Sequence, residues 1–319
     1  MTMWDRAGLI GGTGFVGGNL ARQRPFARSY SSRTIDKIAG EHFDTLICAG
    51  APAVMWAANA DPEGDRDRLK TLSDHIATSQ FDRLILISTI AVLDDLAAGC
   101  TEGDDRYEAV QAYGRNRREL EQRLIDTHGA MVLRLPALFG QGLRKNYLYD
   151  LAHPLPSFLK GERFRALYGR FDDRAASALQ AGYAYSPDMD MMELDRATVA
   201  ERGEEAMLVA AFDRERATAK YFTNDQSTYQ FYCVDRLSDD IERMAAASID
   251  LLHLCSVPIS AADIHSAVFD EPFDNAGPGI VQQDMRTCHA AAWGRTDAYL
   301  YDRAPMLDDI TAFVKAYAT

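Results

Sequence analysis

AGLIGGTGFVGG, residues 7–18, is the stretch that decides the fold. A short apolar run, Ala7 to Ile10, stops at a glycine loop in which Gly11, Gly14 and Gly17 recur at every third position. Such a run, bounded by glycine, reads as a buried strand. Glycine has no Cβ, so it allows a tight turn, lets a pyrophosphate approach backbone N–H groups, and lets the next helix pack closely on the sheet. A helix opening at Phe15 would aim its partly positive N-terminus at the phosphates. Gly11, Thr13, Gly14, Phe15, Val16 and Gly17 are therefore expected to bind a nicotinamide dinucleotide. Glycine spacing alone would also fit an ordinary turn, but the strand before it and the helix after it favour the cofactor.

Beyond this loop, short apolar runs alternate with amphipathic stretches. Thr45 to Ala49, Leu84 to Ile87 and Met131 to Leu135 are the other expected strands. Leu69, Leu72 and Ile76 mark one helical face, and Leu120, Leu124 and Ile125 another. The pattern predicts an α/β fold, a Rossmann-type doubly wound parallel sheet with a smaller C-terminal substrate-binding part. The expected division is a dinucleotide-binding domain over 1–150 and a substrate-binding part over 151–319. Within the latter, 169–225 reads as an insertion without a strand pattern and with poorly capped helices, expected to serve the substrate side. Some later segments return to the first domain. A helix on Leu237, Ile241, Met244 and Ile249 follows, then one opened by a Ser260/Asp263 capping box. A last helix from Pro305 is expected to bury Leu307, Ile310, Phe313 and Val314.

Composition limits the possible partners. The chain has 319 residues, 47% hydrophobic and 25% charged, enough to bury a real core. A formal net charge of −13 repels nucleic-acid phosphates and anionic lipid, so neither nucleic acid nor membrane is expected as a partner, and a small-molecule substrate is. Cys48, Cys100, Cys233, Cys255 and Cys288 are scattered and odd in number, as free thiols of a reducing compartment would be. No apolar run approaches membrane-spanning length, and the N-terminal residues do not resemble a signal peptide, so a cytoplasmic protein is expected. No histidine pattern suggests a metal and no Gly-x-Ser-x-Gly elbow suggests a serine nucleophile, so neither is expected. His153 is a minor candidate for a substrate pocket.

A Rossmann domain that holds NAD usually carries an acidic residue about 20 positions beyond its glycine loop, on the adenosine ribose. FARSYSSRT offers Ser31, Ser32 and Arg33 instead. Ser32 and Arg33 could accept the 2′-phosphate of NADP, or Arg33 could be a solvated surface charge. NAD or NADP is expected, with a lean to NADP.

The strand Leu84 to Ile87 runs into Ser88 and Thr89, and further on AYGRNRRELE places Tyr113 and Arg117 four apart, on one helical face. With GGTGFVGG, FDTLICAGAP, RLILISTIAV, YGRNR, VLRLPALFG, FYCVDRL and LLHLCSVPISAADI in this order, the chain resembles the extended, atypical short-chain dehydrogenase/reductase family of epimerases, dehydratases and reductases. The early segment is most similar to reductases of the dTDP-4-dehydrorhamnose type. The resemblance implies that Tyr113 exchanges a proton during hydride transfer while Thr89, beside Ser88, holds the reacting oxygen. It also implies that Ala49, Gly50, Ala51 and Pro136 border the cofactor, and that a homodimer is possible. An NAD(P)-dependent oxidoreductase or epimerase of a sugar-like or other hydroxy/keto molecule is the expected activity. Thr89 could also simply end a strand, and Tyr113 be a core aromatic with a wet hydroxyl.

Two positions depart from the family pattern. Arg117 stands where lysine is usual. Lowering a tyrosine from about 10 to near 7 takes roughly 4 kcal/mol. A unit charge about 4 Å away at an effective dielectric of about 20 supplies that much, so Arg117 is expected to act as the electrostatic partner and to hold the nicotinamide ribose, with altered geometry. Tyr229 stands where many relatives carry an arginine on the substrate diphosphate, which argues against the usual diphosphate grip; Arg144 or Lys145 could compensate or be solvated. Ile90 and Ala91 replace the Asp-Glu pair of the dehydratases. A dinucleotide-binding scaffold or regulatory subunit without redox turnover, or a non-redox biosynthetic rearrangement, are the alternatives.

Overall fold

In the computed structural model, which describes residues 2–317, the chain divides into two compact units. The first comprises 1–143, 228–259 and 282–309, and the second 144–227, 260–281 and 310–319.

The first unit is built on β1 (Ala7–Ile10), α1 (Phe15–Gln23), β2 (Arg28–Tyr30), β3 (His42–Cys48), α2 (Met55–Ala60), α3 (Pro62–Ile76), β4 (Gln80–Thr89), α4 (Ala112–His128) and β5 (Met131–Leu135). A later strand, Leu251–His253, completes a six-stranded sheet in the order Leu251–His253, β5, β4, β3, β1, β2. Every pairing in it is parallel. The side chains explain the double winding. On β4, Leu84 and Leu86 face one way, onto Leu69, Leu72 and Ile76 of α3 and Leu120 and Leu124 of α4. Ile85 and Ile87 face the other, with Leu20 of α1 and with Leu237, Ile241 and Met244 of the helix Leu237–Ala246. Both faces are thus covered, as a parallel sheet requires. Because β2 and β3 flank β1 on opposite sides, the order reverses between β1 and β3, and open α/β sheets bind ligands in the crevice at such a point.

The second unit has its own core of Leu155, Leu159, Leu167, Leu179, Tyr183, Leu194, Leu208 and Phe212. The 169–225 stretch differs from the sequence expectation. It carries an antiparallel pair, Tyr183–Ser186 with Met191–Leu194, joined on its outer edge by Phe158–Leu159. Two of its helices are capped, Asp172 accepting from the Ala175 N–H and Asp195 from the Thr198 N–H, while the helix Glu205–Arg214 has no side-chain cap. Strands of four residues are too short for alternation to stand out, and aspartate caps without a following glutamate escape the capping-box pattern. Ser260 does cap its helix, with the Asp263 N–H on the Ser260 Oγ at 3.0 Å and the Ser260 hydroxyl donating back to Asp263 Oδ2 at 2.5 Å. The last helix begins at Arg303, not Pro305, and its fully buried stripe is Met306, Ile310 and Val314, a register in which Leu307 and Phe313 are half-buried. Among the described residues, no helix is long and apolar enough to cross a membrane.

Candidate active site

The glycine loop divides its work among three positions. Gly11 takes φ +90°, and a Cβ there would lie 2.3 Å from the Ala49 carbonyl oxygen at the end of β3. A Cβ on Gly17 would lie 2.2 Å from the Gly11 oxygen, so that glycine lets α1 pack against the loop. Gly14 differs: its φ is −81°, open to any residue, and a Cβ would meet only the Gly11 oxygen, at 3.3 Å. Gly14 is also the N-cap of α1 and no side chain caps the helix, so its first-turn N–H groups are left for a ligand. Thr13 and Gly14 are exposed, while Phe15 and Val16 are half-buried. This uncapped cradle at the switch point fits a dinucleotide pyrophosphate. Ala49, Gly50 and Ala51 are half-buried at the carboxyl end of the neighbouring β3, and Pro136 is buried just beyond β5. Ser32 and Arg33 are exposed in the turn after β2, with the Arg33 N–H on the Ser31 Oγ at 3.3 Å. No carboxylate occupies that turn through Thr34.

Thr89 ends β4, and its hydroxyl accepts the Ala91 N–H at 3.2 Å as the chain turns. That turn abuts the first turn of α4, where a Cβ on Gly114 would lie 1.9 Å from the Ala91 oxygen. Only glycine lets the helix come so near, and the approach puts Tyr113 beside Thr89. The Tyr113 N–H in turn donates to Asn59 Oδ1 of α2 at 2.9 Å. Burial pushes the Tyr113 phenol up, and this outweighs the lowering by the Arg117 charge and by hydrogen bonding with Arg117 and Thr89; Asp65 adds to the rise. The phenol is therefore held neutral.

Arg117 lies against Tyr113, as its spacing predicts, but with a buried carboxylate partner. It is 3% exposed and forks onto Asp65, 1% exposed, at 2.7 and 3.1 Å. Its Nη atoms also donate to the Pro52 and Tyr113 carbonyls at 2.6 and 3.1 Å, and its guanidinium carbon lies 3.8 Å from the Tyr113 ring centroid. The fork is thus consumed inside the protein, and its buried Nε–H lacks a protein partner. The guanidinium is thus neutralised by Asp65 and committed to backbone carbonyls while lying against the Tyr113 ring, and its charge still favours tyrosinate, in the expected sense, though burial outweighs it. Burial raises the Asp65 carboxyl, but hydrogen bonds from Arg117 and Asn116, with the Arg117 and Arg68 charges, bring it below the ordinary range. Asp65 lies on α3, far from Arg117 in sequence, and no local motif marks it.

Ser88 belongs to a second buried centre, which sequence reading missed. Its hydroxyl donates to Glu121 Oε1 at 2.5 Å. Glu121 is fully buried and also accepts from Arg134 at 3.1 and 2.7 Å and from Arg118 at 3.1 Å. Arg134 reaches His253 Nε2 at 3.1 Å while His253 Nδ1 meets the Arg286 carbonyl at 2.8 Å. An arginine can only donate and a carbonyl only accept, so the imidazole is neutral with its proton on Nδ1. Burial holds its pKa low, in the same sense. The sequence hint was charge within otherwise apolar strands: Arg134 interrupts MVLRL and His253 interrupts LLHL.

Tyr229 is half-buried, its ring 5.7 Å from that of Phe231. Arg144 and Lys145 are exposed in the second unit. His153, in the same unit, packs 4.4 Å from the Tyr149 ring, and burial lowers its pKa.

No family model matches the sequence, and no curated protein does. The fold does have solved counterparts. UDP-N-acetylglucosamine 4-epimerase from Methanobrevibacter ruminantium M1, in complex with UDP-N-acetylmuramic acid, superposes with a TM-score of 0.59 at 11% identity, covering 99% of this chain and 98% of that one. RMD from Pseudomonas aeruginosa, complexed with NADPH, gives 0.60 at 13% identity over 98% and 99%. dTDP-4-dehydrorhamnose reductase from Bacillus anthracis str. Ames, in complex with NADP, gives 0.60 at 11% identity over 99% of both. The chain therefore has the Rossmann-type fold of these epimerases and reductases.

Proposed function

We propose that the protein is an NAD(P)-dependent oxidoreductase or epimerase of the short-chain dehydrogenase/reductase type, acting on a hydroxy or keto carbon of a sugar-like small molecule. The observation that carries this reading is the meeting of Thr89 and Tyr113 at the carboxyl edge of β4, next but one to β1, whose glycine cradle is uncapped. When bound, the dinucleotide supplies or accepts a hydride. The chain's own residues do the rest. Thr89 holds the substrate oxygen, the Tyr113 hydroxyl exchanges its proton, and Arg117, locked by Asp65, fixes the ring that carries that hydroxyl.

A phenol held neutral is poised to donate, so reduction of a ketone is the favoured direction, in which the Tyr113 hydroxyl would give its proton to the substrate oxygen. Ser32 and Arg33, with no carboxylate beside them, support NADPH over NADH. The counterparts complexed with NADPH and NADP have the same fold. Tyr229, in place of a cation, supports a substrate held by contacts other than a diphosphate clamp. A homodimer and the division of labour between cofactor-binding first unit and substrate-binding second unit belong to the same proposal.

The test is NADPH oxidation with a panel of 4-keto sugars, each offered free and as its nucleoside diphosphate conjugate. Tyr113→Phe keeps the ring and removes the proton, so turnover should fall by about 10²-fold or more with little change in NADPH affinity. Near-normal turnover by that variant would overturn the assignment.

A further inference from the structure

We propose that Glu102, Cys288 and His289 form a binding site for one divalent cation of the zinc class. The site lies wholly within the first unit and does not depend on the proposed activity. A carboxylate oxygen, the Cys288 sulfur and an imidazole nitrogen all fall within 4.8 Å of one another. Oxygen, thiolate sulfur and imidazole nitrogen are the donors that zinc takes, at roughly 2.0–2.3 Å. Bond lengths of that size set ligand-to-ligand distances of roughly 3.3–3.7 Å in a tetrahedron. Cys288 is exposed and His289 half-buried, so closing the difference calls for side-chain rotation at these two.

The surroundings are already built. Glu102 Oε1 accepts from the Thr287 hydroxyl at 2.6 Å and from the His253 N–H at 2.8 Å, and Oε2 from the Cys288 N–H at 2.8 Å. The His289 N–H donates to the Thr287 Oγ1 at 3.1 Å. The carboxylate and the two ligand-bearing residues are thus fixed relative to one another by hydrogen bonds that occupy both lone pairs of Oε1 and leave one on Oε2 for a metal. Outer partners of this kind orient a metal's ligands. Cys288 is exposed, which gives an entry path, while Cys48, Cys100 and Cys255 are buried and Cys233 is half-buried. On binding, the Sγ–H bond breaks, the Sγ–metal bond forms, and the proton leaves to solvent. Three protein ligands leave a fourth position for water. The ion would staple the turn at Glu102 to the segment 286–289, which also carries the Arg286 carbonyl that sets the His253 tautomer.

The full chain, stripped with a chelator, is titrated with Zn2+ against a competing chromophoric chelator and separately with Co2+ in the near-ultraviolet. One equivalent should bind, and Co2+ should show a thiolate charge-transfer band. Losing outer partners alone weakens metal sites by about 10- to 100-fold, so Cys288→Ser and His289→Ala should each weaken Zn2+ by about 100-fold, and Cys288→Ser should abolish the band. Metal-free Cys288→Ser should melt with the wild type, which separates a lost ligand from a lost fold. No saturable binding, binding without a thiolate band, or wild-type affinity in Cys288→Ser would each overturn the site.

Discussion

Arg117 and Arg134 are both buried, and both fork onto a buried carboxylate, Asp65 and Glu121 respectively. They differ in what closes the other side. Arg134 is enclosed by His253, by the Tyr107 ring at 5.3 Å, and by a glutamate that also binds Ser88 and Arg118. Arg117 sits over the Tyr113 ring, reaches the Pro52 carbonyl in the loop after β3, and keeps one Nε–H without a protein partner. The first arrangement is sealed and holds the sheet's carboxyl edge in shape. The second holds the ring of the half-buried Tyr113, the proposed proton donor. A buried ion pair is therefore no sign of a site by itself; what it clamps decides.

The largest effects should come from breaking either pair. Asp65→Asn and Glu121→Gln each leave an arginine buried without its countercharge, and each should cost about 3–5 kcal/mol in chemical denaturation. A loss below about 1 kcal/mol in either would mean that pair is dispensable.

Kinetics should then separate the two. The Tyr113 phenol is raised above its ordinary 10.0, so the proton-donating form is complete below about pH 10 and is lost as pH rises through the higher folded value. Carbonyl reduction should accordingly be flat through neutral pH and fall on an alkaline limb. Asp65 contributes to the rise, so Asp65→Asn, assayed below its melting temperature, should move that limb to lower pH, whereas Glu121→Gln should leave it in place. A limb moved equally by both variants would erase the distinction drawn between the centres.

A smaller effect should follow Arg117→Lys. The ammonium keeps the charge but cannot span Asp65, Pro52 and the Tyr113 carbonyl together. Losing one or two hydrogen bonds should cost about 1–2 kcal/mol of stability, with turnover reduced by about 10-fold or less. A loss as large as that of Tyr113→Phe would show that the forked geometry, beyond the charge, enters the reaction step.

Much of the first unit was legible because short continuous apolar runs and a glycine loop are local signals. β1 and β5 fall where Ala7 to Ile10 and Met131 to Leu135 were read, while β3 and β4 extend three or four residues earlier, where polar residues at His42, Asp44, Gln80 and Asp82 dilute the pattern. Tyr113 and Arg117 could be paired from their spacing, but Asp65 could not, because it reaches them only through packing of α3 on α4. The Glu121, Arg134 and His253 centre was hidden for the same reason: its members come from three separate elements, with Arg134 and His253 each a single polar residue in an apolar strand and Glu121 one of many charges on α4. The 183–194 hairpin escaped notice because its strands are only four residues long.

Cofactor binding by a Gly14 variant is the most direct measurement of whether the uncapped loop is a dinucleotide site. Gly11 and Gly17 cannot serve, since a Cβ at either strikes backbone at 2.2–2.3 Å and would disturb the fold. Gly14 has an ordinary φ, and a side chain there meets only one backbone oxygen, so Gly14→Val should fold and melt within about 1 kcal/mol of the wild type. Calorimetric titration with NADPH should give saturable one-site binding to the wild type and none to Gly14→Val. NADPH bound equally by both, with both folded, would contradict the assignment of the glycine loop and the redox chemistry that rests on it.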